Sequence, residues 1–250
     1  MMNAAKTIVA IGGGELKDLA TFEIDRAIVG LTNKTHPHAL FIPTASGDAD
    51  SYWQTFQAVY GATLGCSTDV LWLLKEQLTP NDIEDKILSA DLIYVGGGNT
   101  LSMMKRWRRL GVDTILNRAY AKGIVLSGIS AGAICWFKYG LGESLKYRDP
   151  ARWSFIRVRG LGFINALLCP HYHSVISEQD CENMLAVHGG VGIALEDHCA
   201  LAIIDDHYRI VTSQADGRAY KLYKKRGKVV TEPIEQTNEF TSLSLLLKPH

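Results

Sequence analysis

An α/β fold, with a mostly parallel central sheet, helices on both faces and antiparallel hairpins at the C-terminal end, is predicted from three features of the chain. Short apolar runs of strand length alternate with amphipathic segments of helix length through the first half. Several of those runs end in glycine-rich or proline-marked breaks, at Gly12–Gly14, at Pro43 before Thr44–Gly47, and at Gly96–Asn99. Beyond about residue 200, short runs separated by turn residues replace that alternation.

Lys6-Thr-Ile-Val-Ala-Ile11 reads as the first buried strand, and a helix carrying Leu19, Phe22, Ile28 and Leu31 follows its glycines. Ala39-Leu-Phe-Ile42 is the second strand, and a helix from about Ser51 to Ala62 presents Trp53, Phe56 and Tyr60 before the strand Asp69–Leu73. Thr79 followed by Pro80 is a strong helix start, since threonine caps and proline suits the first helical position. That helix runs to Asp91, ahead of the strand Leu92–Val95. Two helical stretches, about Thr100–Arg109 and Val112–Ala121, lead to the strand after Gly123. Repeated strand–helix units of this kind give a parallel sheet buried on both faces. Its loops at the strands' carboxyl ends, Gly12–Gly14, Thr44–Gly47, Gly96–Asn99 and Ser130, should share one edge. Downstream, Ala166–Cys169 runs as a strand into Pro170-His-Tyr-His173, a helix is expected near Glu178–His188, and Gly192–Leu195 leads into Glu196. The final runs, Leu201–Ile204, Arg209–Val211, Ala219–Tyr223 and Lys228–Val230, are divided by Asp205-Asp206, Asp216-Gly217 and Arg226-Gly227 and read as hairpins. With no linker or repeat in sight, residues 1–250 form one domain on this reading.

The 26 basic and 26 acidic residues leave a formal net charge of zero, which argues against nucleic acid or an anionic membrane surface as the main partner. The short basic runs Lys105–Arg109 and Lys224–Arg226 are read as solvated faces. The segment from Met1 to Ala10 is too short for the apolar region of a signal peptide, and no segment has the length of a membrane span. The five cysteines, Cys66, Cys135, Cys169, Cys181 and Cys199, are widely spaced and contain no C-x-x-C pair. They fit a reducing cytoplasm better than disulfides or zinc.

The stretch Gly123-Ile-Val-Leu-Ser-Gly-Ile-Ser130-Ala-Gly-Ala-Ile134 carries the strongest chemical signal. A buried strand runs into G-x-S-x-G, the pattern of a nucleophile elbow, in which the serine is held in strained φ/ψ and its neighbours must lack bulk. A helix expected to start there puts its positive end beside Ser130 and leaves the Ala131 N–H free for an oxyanion. The plain alternative is a glycine-rich strand-to-helix turn with an incidental serine. A serine hydroxyl needs a base, itself oriented by a carboxylate. Among the histidines, His171 comes directly off an apolar strand after a proline, with His173 two residues on as its rival. Glu196 ends an apolar run where a carboxylate needs a partner, and the adjacent Asp197 competes for that role. His171, His173 and Glu178 or Asp180 could also be imagined around a metal, but they lack the i, i+4 spacing of a helical zinc site. Gly96-Gly-Gly-Asn99 reads as a phosphate cradle or as an oxyanion donor; no nucleotide-binding fingerprint accompanies it, which favours the second.

Taken together, Val95-Gly-Gly-Gly-Asn-Thr100, Gly128-Ile-Ser-Ala-Gly-Ala133, Cys169-Pro-His-Tyr172 and Gly192-Ile-Ala-Leu-Glu196, in this order, resemble the peptidase E (α-aspartyl dipeptidase) and cyanophycinase family. The likeness runs from Ile8-Val-Ala-Ile-Gly-Gly13 to Glu196. It implies a class I glutamine-amidotransferase-like α/β sandwich and a metal-free serine peptidase, with Ser130 as nucleophile, His171 as base and Glu196 as its carboxylate. Gly97 or Gly98 and Ala131 would supply the oxyanion hole, and Asn99, Tyr172 and His173 would touch the substrate. The chain departs from peptidase E after the histidine: the family's arginine, associated with an aspartate side chain, gives way to acidic Ser177-Glu-Gln-Asp-Cys-Glu182. That segment suits either a neutral or basic substrate or a solvated helix start. The expectation is therefore a cytoplasmic serine hydrolase without cofactor or metal, acting on a short peptide or amide and compatible with a homodimer. An amidase or esterase using the same triad, and an inactive binding protein of the same fold, are the alternatives.

Overall fold

A computed structural model describes residues 5–215 and 217–248. Met1 to Ala4 of the N-terminal segment, Asp216 of the expected turn and the terminal His250 lie outside them. The first half alternates as the pattern requires: β1 (Thr7–Ile11), α1 (Phe22–Gly30), β2 (His38–Ile42), α2 (Asp50–Phe56), β3 (Ser67–Val70), α3 (Pro80–Ser89), β4 (Leu92–Val95), α4 (Thr100–Leu110), α5 (Val112–Ala121) and β5 (Val125–Ile129). Strands β1, β5, β4, β2 and β3 lie side by side in that order, each parallel to its neighbour. Thr79 starts α3 through a capping box with Asp82, with Pro80 behind it in the first turn.

The strands are apolar on both faces because both are covered. Ile8, Ala10, Leu40, Ile42, Ile93 and Val95 enter one buried cluster with residues of α3, α4 and α5. The alternate residues Val9, Ile11, Ala39, Phe41, Leu92 and Tyr94 enter another, with Ile24 and Ile28 of α1 and Phe56 of α2. On the far side of β1 the sheet continues antiparallel through β10 (Cys199–Ile204), β11 (His207–Thr212) and β14 (Thr241–Ser242).

A second sheet packs beside this mostly parallel one. After Ser130 the chain makes only one helical turn, α6 (Ala131–Ile134), and enters β6 (Phe137–Gly142). That strand heads a second sheet in the order β13 (Lys228–Pro233), β12 (Ala219–Lys225), β9 (Val191–Leu195), β8 (Ile164–Cys169), β6 and β7 (Ile156–Arg159). Gly140 of β6 lies so close over α6 that a Cβ there would sit 2.4 Å from Ile134, so the turn and the strand are one packed corner. Ala166, Leu168, Ile193 and Leu195 of the second sheet share the core that holds Ile8, Val95 and Trp107. Its other face, with Leu167, Cys169, Ala194 and Leu222, packs on Cys181 and Leu185 of α7 (Glu178–His188). The C-terminal hairpins divide between the sheets. The β10–β11 pair extends the first, and the β12–β13 pair, closed by the left-handed residues Arg226 and Gly227, extends the second. The basic run in α4 does more than face water, since Arg106 donates to the Leu73 carbonyl and Arg108 to that of Arg159. All five cysteines are buried and free, and among the described residues no helix is long and apolar enough to cross a membrane.

The helix expected to run to Ala62 changes character at Phe56, where a π-helical segment, Gln57–Thr63, takes over. It carries Tyr60 inward, where the hydroxyl donates to Asp25 at 2.8 Å while Thr21 donates to the other carboxylate oxygen, also at 2.8 Å. Burial pushes the Asp25 pKa up to about 7 despite those two donors. An unfolded aspartate titrates near ~4, so between these values the folded state holds the extra proton and rising pH weakens the fold. Asp25→Asn is expected to remove that component. Urea unfolding of both proteins from pH 4 to 8 should show wild-type stability falling relative to the variant up to about pH 7 and then running parallel to it.

Candidate active site

Strand β5 delivers Ser130 into a sharp turn with φ 54° and ψ −111°, a conformation costing a non-glycine residue on the order of 1–3 kcal/mol. The flanking glycines allow it by close approach. A Cβ on Gly128 would lie 2.5 Å from the Gly132 carbonyl oxygen, and one on Gly132 would lie 2.0 Å from that of Val95. This is the elbow expected from G-x-S-x-G. The helix behind it is shorter than expected, and one turn contributes little dipole. What remains is local: Ala133 and Ile134 donate to the Ser130 carbonyl, and the N–H of Ala131, as first residue of the turn, has no acceptor within it.

His171 lies just past β8, where Pro170 ends the strand, and takes a left-handed φ of 50°. Its Nδ1 meets Oδ1 of Asp197 at 2.7 Å, which leaves Nε2 as the ring nitrogen free for other work. That hydrogen bond, ahead of the cost of burial, holds the Asp197 pKa below the usual carboxylate range. The expected pairing of His171 with Glu196 is therefore corrected. Glu196 receives His173 Nδ1 at 2.8 Å, the Tyr220 hydroxyl at 3.2 Å and the Arg218 N–H at 3.0 Å. The cause is the alternation of an extended chain: adjacent side chains at the end of β9 project to opposite sides. Glu196 turns toward β12, and Asp197 turns toward His171.

The end of β1 holds these segments together. The carbonyl of Ile11 accepts from Ser130 N–H at 3.0 Å, that of Gly12 from His171 N–H at 3.2 Å, and that of Gly13 from His198 N–H at 3.0 Å. The approach is too close for side chains. A Cβ on Gly12 would lie 2.3 Å from the Glu196 carbonyl oxygen, and one on Gly13 would lie 1.8 Å from Asp197 Oδ1 and 2.3 Å from His171 Nδ1.

Ser130 and His171 open onto one crevice of about 600 Å³, which falls within the size range of small-ligand sites. Gly97, Gly98, Tyr52, Glu15 and Glu143 also line it. The loop order expected at this edge is therefore present, but three expected substrate contacts are not among the lining residues. Asn99 caps α4, its Oδ1 accepting from Ser102 N–H at 3.0 Å. Tyr172 and His173 line a separate hollow with Glu196 and His198, and Tyr172 is almost wholly buried. Of the two loop glycines proposed for the oxyanion, Gly97 already gives its N–H to the Tyr52 hydroxyl at 3.4 Å. Gly98, at φ 136° and pressed against the Ala45 carbonyl, has no partner for its N–H among the described residues. The acidic segment thought to bear on specificity is a helix start, with Ser177 and Asp180 forming a capping box, and Asp180 lines a third hollow beside Trp153 and Phe155. The imagined metal set is likewise dispersed, since each histidine has its own carboxylate and Asp180 serves the cap. The sequence reading missed the close approach at Gly12 and Gly13 and the part of Tyr52. Three glycines directly after a buried strand were a signal for the first; nothing in the pattern around Tyr52 distinguished it from a core aromatic.

Comparisons with known proteins bear on the family and the fold. The model of Peptidase family S51 matches residues 8–211. The chain is 32% identical over 233 residues to a protein of Bacillus subtilis (strain 168) called uncharacterized peptidase YgaJ, covering 92% of this chain and 97% of that one. It is 35% identical over 98 residues, 38% of this chain and 45% of the other, to uncharacterized peptidase Lmo0363 of Listeria monocytogenes. Two crystal structures share its fold. A peptidase from an acI-B1 actinobacterium has a TM-score of 0.75 at 20% identity, over 96% of this chain and 98% of that one. A putative peptidase E protein from Listeria monocytogenes EGD-e has a TM-score of 0.63 at 19% identity, over 84% of this chain and all of that one.

Two substitutions check the geometry of the histidine. Gly13→Ala should fold but drive His171 and Asp197 apart, lowering kcat on the order of 10²-fold or more, as small displacements of catalytic groups do. Asp197→Asn should lower kcat by roughly 10⁴-fold through loss of ring orientation, with Glu196→Gln far milder. Steady-state hydrolysis of a dipeptide panel measures all three, and equal losses at 196 and 197 would contradict the assignment.

Proposed function

The chain belongs to peptidase family S51, and on that premise we propose that it is a serine peptidase cleaving a short peptide or amide bond with Ser130 as nucleophile, His171 as base and Asp197 as the carboxylate that orients it. One observation carries the reading. The strained Ser130 shares a crevice with a histidine whose Nδ1 is held by a carboxylate at 2.7 Å. A histidine fixed in this way presents Nε2 as acceptor, and the imidazolium formed on proton uptake is stabilised by the ionised Asp197.

In the proposed reaction His171 Nε2 takes the proton of Ser130 Oγ as that oxygen attacks the substrate carbonyl carbon. The carbonyl electrons move onto oxygen, where the N–H groups of Ala131 and Gly98 are the backbone donors. Collapse of this intermediate breaks the C–N bond, and His171 passes its proton to the leaving nitrogen. Water then repeats the sequence on the acyl-serine, freeing the acid and regenerating Ser130.

The charged residues lining the crevice are Glu15, Lys17 and Glu143, and no arginine is among the described lining residues. Glu143 is paired with Lys146 at 3.2 Å. A substrate aspartate would need a desolvated cation, most effectively a bidentate arginine, so a neutral or basic residue at the cleaved bond fits this crevice better.

Labelling with a fluorophosphonate probe tests the nucleophile: wild type should label and Ser130→Ala should not. Ser130→Ala and His171→Ala should each lower kcat by on the order of 10⁴ to 10⁶-fold with folding intact, and His173→Ala far less. A dipeptide panel tests specificity. A preference for aspartate of tenfold or more, about 1.4 kcal/mol of transition-state discrimination, would overturn the substrate part of the reading.

A further inference from the structure

Tyr52 plays no part in the arrangement of Ser130, His171 and Asp197, yet it lines the same crevice. It projects from α2, and its ring is fixed on two sides. The ring packs edge-on against Phe41, with centroids 5.0 Å apart at 66°, and it lies over Gly96, where a Cβ would come within 2.9 Å of it. The hydroxyl at the end of this ring accepts the Gly97 N–H at 3.4 Å. Gly97 in turn abuts the nucleophile, since a Cβ there would lie 3.5 Å from that of Ser130. The phenol is thus held by the loop residue that borders Ser130, on the side where the oxyanion donors gather.

A phenol that accepts one hydrogen bond still has its own proton to give, and among the described residues no acceptor takes the proton of Tyr52. Burial, with the Glu15 carboxylate acting in the same direction, pushes its pKa well above that of an ordinary tyrosine. The proton is therefore retained over the whole range in which a histidine base works. A fixed, protonated donor in a partly desolvated crevice costs little reorganisation when charge develops beside it, which is the requirement for stabilising an oxyanion.

We propose that Tyr52 is a further catalytic residue, its hydroxyl donating a hydrogen bond to the scissile carbonyl oxygen as that oxygen gains negative charge, alongside the N–H groups of Gly98 and Ala131. No proton is transferred in this step, and the phenol is unchanged at its end. The Gly97 N–H acts indirectly: it occupies a lone pair of the hydroxyl and leaves the phenol's own proton to be given to the substrate. This assignment rests on Ser130 being the nucleophile.

The test is the concentration dependence of fluorophosphonate labelling, because the probe's phosphoryl oxygen takes the place of the developing oxyanion. Tyr52→Phe keeps the ring against Phe41 and Gly96 and removes only the hydroxyl. Its maximal labelling rate at saturating probe is expected to fall on the order of 10²-fold. The half-saturating concentration should stay within about twofold and the thermal midpoint should be unchanged, since the packing is preserved. An unchanged maximal rate, or a loss seen only in half-saturation or in thermal midpoint, would overturn the assignment while wild-type labelling upheld Ser130. Wild type that fails to label, or Ser130→Ala that labels like wild type, would remove the nucleophile reading and Tyr52's role with it.

Discussion

Three consecutive main-chain carbonyls, those of Ile11, Gly12 and Gly13, receive the N–H groups of Ser130, His171 and His198, and the candidate site depends on that contact. Each donor belongs to a different strand end, so no two of these segments are neighbours in sequence. What makes them neighbours in space is the absence of side chains at positions 12 and 13. There the chain before β10 passes close enough that any Cβ would strike the Glu196 carbonyl, the Asp197 carboxylate or the His171 ring. A glycine pair loses more entropy on folding than other residues would, and the strand end gains in exchange a rigid main-chain mount for three loops. Precision of this kind suits a proton relay, where reach and alignment decide the rate.

Ser130 shows the same logic from the other side of β1. Its backbone sits where few non-glycine residues are found, and such strain persists only when the surroundings over-determine it. Here the strand pairing of β5 with β1 and β4 fixes the approach. The turn α6 then fixes the departure, with Gly132 seated directly on the Val95 carbonyl. That turn is short because the chain must cross at once into the second sheet, and Gly140 pressed on Ile134 binds the crossing to the elbow. The second sheet is therefore part of what holds the serine, and through β8 and β9 it also brings up His171 and Asp197.

Much of this was legible in the residues. The alternation of buried strands and amphipathic helices fixed the parallel half of the first sheet, because a strand covered on both faces must be apolar throughout. The elbow was legible because its glycines answer a steric demand that few other sequences meet. His171 was legible because a proline and an apolar run precede it. The second sheet was legible only in part: β8, β9, β12 and β13 read as strands, but β6, with Gly140 and Gly142 in six residues, and β7, only four residues long, are too short or glycine-broken to stand out, and no strand pattern states which sheet a strand joins. The choice between Glu196 and Asp197 was not legible, since it turns on where the regular strand stops. β9 ends at Leu195, and a one-residue difference there exchanges the two carboxylates between opposite sides.

The two histidine–carboxylate pairs that result differ in kind. Glu196 is tied to Arg218 twice, since its N–H donates to the Arg218 carbonyl and its carboxylate accepts the Arg218 N–H, while Tyr220 and His173 occupy its other oxygen. Those bonds clamp the peptide that leads into Asp197 to the start of β12. Among the described residues Asp197 has no such ties to β12, and it meets His171 beside the crevice. In the proposed mechanism its charge must stay ionised while the imidazole gains and loses a proton, and its pKa, lowered mainly by the hydrogen bond from His171, suits that task. The outer pair thus fixes the backbone from which the inner carboxylate projects, and Gly13 leaves the inner pair the space in which to meet.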